Sequence, residues 1–166
     1  QVGSTFKPVI FGAGMVTGQL TPHTTYLNKL RTYRGAKGPW TPRNWDNIHD
    51  GEPLTLTEAL ARSSNVVAVR ALKDVGLGQM KLFSQSLGFQ ASPPNDLTAA
   101  LGSMEATPLD VTNAYTTIAS GGSRGKPVFI TRVEDPKGNI IYSESNAATP
   151  AIPSLVTRAL TLMLQR

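Results

Sequence analysis

The 166-residue chain contains no cysteine. Disulfides, thiolate nucleophiles and cysteine-based zinc sites are therefore excluded, while the redox compartment stays open. No apolar run approaches the ~20 residues that a membrane-spanning helix needs. Charge is sparse, with 16% charged residues and a net charge of +5, and no block of five basic residues occurs. No nucleic-acid-binding motif accompanies that charge, so it reads as solubility charge and nucleic acid is not an expected partner. The two histidines, His23 and His49, stand in loop-like sequence without partner spacing, so no metal site is expected. No signal peptide and no initiator methionine are present. The start at Gln1 and the end at Arg166 lead us to expect a piece of a longer polypeptide.

What is there suffices for one domain. Hydrophobic residues make up 40% of the chain, enough for a buried core at this length. The twelve prolines and fifteen glycines imply many turns. Val9, Ile10, Ala13 and Val16 give a rough helical stripe that predicts a buried helix over 5–17, with Gly12 and Gly14 allowing another element to approach closely. Residues 18–53 lack periodicity and read as a long irregular excursion anchored by Trp40 and Trp45.

Order returns with a short helix capped by Thr55 or Thr57 and broken at Ser63-Ser64-Asn65. A second helix ends at Gly76 and a third covers about 78–87. "ATPLDVTNAYTTIASGG" carries the clearest helix signal, with Thr107 as N-cap, Pro108 at N1, Asp110 in the first turn and Gly121-Gly122 as the stop. The period then changes. "PVFITRVEDPKGNIIYSE" reads as two strands joined at 136–139, and the chain closes on a helix whose core face is expected to carry Leu155, Ala159, Leu162 and Met163.

Two stretches could carry chemistry. Ser4 and Lys7 are spaced i, i+3, which places both on one helix face. A serine hydroxyl is a weak nucleophile until a base takes its proton, and lysine is a base only when burial or a helix N-terminus disfavours its ammonium. The spacing alone is unspecific, because Ser123 and Lys126 match it too, there after a helix stop and before a strand. Taken alone, Ser4 reads rather as a capping serine and Lys7 as a solvated lysine. The second stretch is Ser63-Ser64-Asn65. A polar turn there could aim a proton-relaying hydroxyl and a substrate-binding carboxamide to one side, or could simply end one helix and let Asn65 cap the next.

The ordered series "GSTFKP", "PWTPRNWD", "GEPLTLTEALARSSNVVAVR", "LGSMEATPLDVTNAYTTIASGG" and "PVFITRVEDPKGNIIY" resembles the transpeptidase domain of class A, bifunctional penicillin-binding proteins. The resemblance runs over essentially the whole chain. It implies an α+β fold of the β-lactamase/transpeptidase kind, here mainly its helical part plus one β-hairpin. It implies Ser4 as the acylated nucleophile, Lys7 as its activating base, Ser63 as a proton-shuttling hydroxyl, and Asn65 as a substrate-binding residue. A substrate-lining role is also expected of Trp40. The implied partners are a peptidoglycan stem peptide ending in D-Ala-D-Ala and β-lactam antibiotics. No cofactor is implied, and the location is extracytoplasmic with a membrane-anchored parent.

The chain departs from the family's pattern in one respect. It contains no Lys-Thr-Gly or Lys-Ser-Gly, and its Lys-Gly pairs, Lys37-Gly38 and Lys137-Gly138, stand in turn-like sequence. The expectation is a partial domain over 1–166. The strands before Gln1 and the Lys-Thr-Gly strand after Arg166 are missing, the sheet comes from elsewhere (a companion chain among the sources), and the piece alone is inactive. A serine β-lactamase and a penicillin-binding sensor without turnover are the competing readings. Glu105 is expected in a packing or capping role rather than as a deacylating carboxylate.

Overall fold

The structure, a computed structural model, describes residues 1–35, 38–145 and 147–166. Helix α1 (Lys7–Val16) is its axis, and all residues from Lys7 to Gly14 are buried. Such a helix shows little amphipathicity because it is enclosed on every side. Around it stand α2 (Leu56–Ala61), α3 (Asn65–Val75), α4 (Leu77–Leu87), α5 (Pro108–Ala119) and α6 (Ser154–Leu164). Of these, α2, α3, α4 and α6 pack directly on α1, and α5 packs on α4 and α6.

Glycine makes the closest approach possible. A Cβ on Gly12 would stand 2.5 Å from the Phe83 ring of α4, and one on Gly14 would stand 2.3 Å from Leu20. Phe6 and Phe89 meet edge to face at 5.8 Å and continue the core beyond the helix start.

Helix ends follow local chemistry. Thr55 caps α2 and Thr107 caps α5, each in a reciprocal capping box, with Glu58 and Asp110 as the partners. Glu105 stands exposed ahead of α5, so the capping or packing role expected of it is not what the structure holds. Gly88, at φ 102°, closes α4 in the left-handed conformation.

The strands are short and paired two by two. Among the described residues, β1 (Thr25–Leu27) pairs with β4 (Pro53–Thr55), β2 (Tyr33–Gly35) with β3 (Gly38–Trp40), β5 (Ser123–Arg124) with β8 (Thr149–Pro150), and β6 (Arg132–Glu134) with β7 (Ile140–Ser143). All four pairs are antiparallel. The single hairpin expected from sequence is thus one of four pairs, and 18–53 is not structureless. Three-residue strands are too short to show a period, and β1 meets β4 only through the tertiary fold. The β6–β7 turn falls at 136–139 as expected, with the Asp135 carboxylate accepting from the N–H groups of Lys137 and Asn139. Lys37, of the other Lys-Gly pair, lies outside the described residues.

Two core expectations need correction. The buried face of α6 is Val156, Thr157, Leu160 and Met163, whereas Leu155 and Leu162 are exposed, with Ala159 between the two. The helix has two apolar stripes, and only contact with α1, α2 and α5 selects one. Of the two tryptophans, Trp40 packs on Tyr33 at 6.3 Å between ring centroids, but Trp45 is 98% exposed and anchors nothing.

Candidate active site

Ser4 does not cap a helix. The chain enters through a 3-10 turn (Gly3–Phe6) that runs directly into α1, and no side chain caps either start. Its position is set by the backbone around it. Val2 N–H donates to Met104 O at 3.1 Å, and Gly3 N–H donates to Gly102 O at 3.0 Å. Gly102 must be glycine there, since it holds φ 64° and its Cβ would fall 2.1 Å from Gly3 O. Tyr115, from α5, donates its hydroxyl to Thr5 O at 2.9 Å. Two separate segments, the loop at 102–104 and α5, therefore hold the turn that presents Ser4.

Lys7 is not solvated either; it is 1% exposed. Its Nζ lies 3.1 Å from Ser4 Oγ, 2.8 Å from Ser63 Oγ, 2.8 Å from Asn65 Oδ1 and 2.5 Å from Ser63 O. Burial pulls its pKa down from 10.5 to about 8, because the ammonium loses water. Two of the four oxygens, the Ser63 carbonyl and the Asn65 carboxamide, can only accept. A neutral amine has two N–H donors and one lone pair, so it can satisfy both and still take a proton from a hydroxyl. Geometry separates this pair from the second sequence match, because Ser123 lies in strand β5 and not on a helix.

Ser63 and Asn65 reach the site through a strained turn. Ser63 sits at φ 53°, a left-handed conformation costly for a residue with a Cβ. That kink ends α2 and lets Ser64 cap α3 by accepting from Val67 N–H. Asn65 is therefore the first residue of α3 rather than its cap, and its side chain is left for Lys7.

The structure thus brings Ser4, Lys7, Ser63 and Asn65 together. Ser4, Ser63 and Asn65 line one cavity with Trp45, Asp46 and Arg62. Trp40 is not part of it and lines a separate cavity with Arg34, Pro39, Asp96 and Thr98. The tryptophan that shares a cavity with Ser4 is the exposed Trp45, and no helical or strand period in that loop marked it out. Other cavities lie at the β6–β7 hairpin and between α5 and α6, away from this polar cluster. Chemistry, not cavity size, selects the site.

Residues 1–162 match the family of the penicillin binding protein transpeptidase domain. The chain belongs to this family. It is 36% identical over 145 residues to penicillin-binding protein 1A of Neisseria lactamica, covering 84% of this chain and 18% of that protein. It is 30% identical over 169 aligned positions to penicillin-binding protein 1F of Bacillus subtilis, covering 100% of this chain and 23% of that protein. The chain therefore spans about a fifth of the length of these curated relatives.

Among solved structures, penicillin-binding protein 1A of Haemophilus influenzae superposes with a TM-score of 0.90 at 23% identity, over 99% of this chain and 29% of that one. Penicillin-binding protein A of M. tuberculosis, captured as an imipenem acyl-enzyme complex, superposes at 0.84 and 20% identity, over 97% of this chain and 42% of that one. These likenesses show the fold. It is α+β and transpeptidase-like, represented in this penicillin-binding protein chain by its helix-rich part with few short strands.

Proposed function

We propose that this penicillin-binding protein chain carries the nucleophile half of a peptidoglycan D,D-transpeptidase site, with Ser4 as nucleophile, Lys7 as general base, Ser63 as proton shuttle and Asn65 as a substrate-binding amide. The observation that carries the reading is Lys7, buried to 1% exposure with Nζ between Ser4 Oγ at 3.1 Å and Ser63 Oγ at 2.8 Å. A lysine so held is partly neutral near pH 8, where it can act as a base.

In the reaction, Ser4 Oγ bonds to the carbonyl carbon of the D-Ala-D-Ala amide as its proton passes to Lys7 Nζ. The carbon–nitrogen bond then breaks. Its electron pair stays on the leaving nitrogen, which receives the proton from Lys7 through the Ser63 hydroxyl, and D-Ala departs. An amine of a neighbouring stem peptide then bonds to the acyl carbon, the ester bond to Ser4 Oγ breaks, and the proton lost by the amine returns through Lys7 to Ser4 Oγ. A β-lactam enters the same first step, but its ring opens without a leaving fragment and the serine stays acylated.

The backbone N–H of Ser4 serves as one oxyanion donor. The second donor belongs, in this reading, to a strand outside residues 1–166, whether in the same polypeptide or in a companion chain, since no Lys-Thr-Gly occurs here. Lacking one such donor costs about 3 kcal/mol of transition-state stabilisation, so the 166 residues alone should acylate at least about 100-fold more slowly than a complete site. The substrate places the parent at the outer face of the cytoplasmic membrane. No helix of the described residues is long and apolar enough to cross a membrane.

The test is labelling with a fluorescent penicillin, followed by peptide mapping, in the longest native polypeptide that carries these residues. One label per molecule, on Ser4, and none after Ser4→Ala, is the expected result. Label on another residue overturns the assignment, and rapid multiple turnover of the penicillin moves the reading to a β-lactamase.

A further inference from the structure

Asn44 belongs to neither the Ser4–Lys7 stretch nor the Ser63–Asn65 stretch, yet it is only 8% exposed and its side chain is bonded to the second of them. Its Oδ1 accepts from Asn65 N–H at 2.8 Å, from Val66 N–H at 3.2 Å and from the Ser64 hydroxyl at 3.2 Å. Its Nδ2 donates to Asn28 Oδ1 at 2.7 Å and to Ile48 O at 2.9 Å.

The direction of every carboxamide follows from the outside inward. The Asp50 carboxylate can only accept, and it receives Asn28 Nδ2 at 3.0 Å. Asn28 must then turn its oxygen to Asn44, and Asn44 must turn its own oxygen to the start of α3. On the other side of Asn65, Nδ2 donates to Arg43 O at 2.8 Å. With its nitrogen so engaged, Asn65 has only Oδ1 to offer Lys7, at 2.8 Å. The backbone of the Arg43-Asn44 pair is itself held, because Asn44 N–H donates to His49 Nε2 at 3.0 Å.

Helix stability alone does not ask for this arrangement. Ser64 already caps α3 locally by accepting from Val67 N–H. Asn44 instead satisfies the first two N–H groups of α3 from a loop 21 residues away, and so ties the placement of Asn65 to that loop. We infer that Asn44 is a positioning residue for the Ser4–Lys7–Ser63 chemistry, acting with the Arg43 carbonyl to fix where Asn65 presents its Oδ1 to the buried lysine. The inference rests on the acylation reading above.

The experiment measures fluorescent-penicillin acylation as a function of pH in the longest native polypeptide carrying these residues, for the unaltered protein, Asn44→Ala and Asn44→Asp. The partners of Lys7 Nζ (Ser4, Ser63 and Asn65) carry no charge, and the charged groups lining the adjoining cavity are Asp46 and Arg62. Displacing Asn65 in Asn44→Ala should lower the plateau acylation rate about tenfold or more, since small misplacements at a reacting centre are that costly. It should also move the acid limb of the profile toward lower pH, because the ammonium loses an acceptor. Asn44→Asp keeps an acceptor at α3 and should recover part of the rate. If Asn44→Ala does not fold, Asn28→Ala, which frees one Nδ2 hydrogen of Asn44 and leaves its Oδ1 bonds, should show the same changes at smaller amplitude.

A purely structural cap predicts less folded protein but an unchanged rate and acid limb for the folded fraction. That result, with Ser4 still labelled in the unaltered protein, overturns the positioning role and leaves the acylation reading standing. Absence of label on Ser4 in the unaltered protein overturns both.

Discussion

The reading of Lys7 as a base makes a quantitative demand on pH. Its pKa falls from 10.5 to about 8 through burial. At pH 7 a lysine with the ordinary value is neutral to about 0.03%, and one at 8 to about 9%, a gain of roughly 300-fold in the reactive form. The rate of Ser4 acylation should therefore rise nearly tenfold per unit below about pH 7, gain about another tenfold from pH 7 to 9, and level off. Lys7→Arg keeps the positive charge but cannot deprotonate, and should slow acylation by ~10²–10⁴ at every pH.

The same shift acts on stability. Below about pH 8 the folded and unfolded chains both hold the proton. Between about 8 and 10.5 the unfolded chain binds it and the folded chain does not, so stability climbs with pH. The climb amounts to about 3 kcal/mol in all. Lys7→Met should flatten it. Acylation can be followed by stopped-flow fluorescence and stability by urea unfolding. A flat rate between pH 6 and 9, or Lys7→Arg acylating within tenfold of the unaltered protein, would refute the general-base argument.

Ser63 offers a second test, since its φ of 53° makes its conformation costly apart from its hydroxyl. Ser63→Gly and Ser63→Ala both lose the hydroxyl, but the glycine variant should be more stable in urea by up to about 1 kcal/mol; equal midpoints would mean no strain. Gly12→Ala forces a Cβ to 2.5 Å from Phe83 and should destabilise the fold by about 1–3 kcal/mol, read as a lower Tm. Trp45→Ala should change stability by less than about 0.5 kcal/mol, because the indole is 98% exposed. Trp40→Ala loses a half-buried ring packed on Tyr33 and should cost about 2 kcal/mol in the same unfolding assay.

Sequence reading went furthest where the controlling interaction is local. The caps at Thr55 and Thr107, the Gly88 stop and the 136–139 turn involve residues within a few positions of one another, so their chemistry can be read in a line. It also placed Ser4, Lys7, Ser63 and Asn65 as candidates, but the two short patterns alone favoured a capping serine, a solvated lysine and a capping asparagine. An ordered likeness over the whole chain tipped that balance. The spacing itself also fits Ser123 and Lys126, which do not share a helix.

What the tertiary structure alone decided is which groups meet. Burial of Lys7 to 1% depends on α2, α3, α4 and α6 closing around α1, and no single segment encodes that enclosure. The choice of Val156, Leu160 and Met163 over Leu155 and Leu162 depends on which side of α6 finds neighbours. The exchange of Trp40 for Trp45 at the cavity, and the carboxamide chain from Asp50 through Asn28 and Asn44 to Asn65, arise from contacts across tens of residues. The chain by itself determined the chemical groups and the local turns that aim them. The fold determined their distances and their dielectric surroundings, and those hold a buried lysine amine 3.1 Å from a serine hydroxyl.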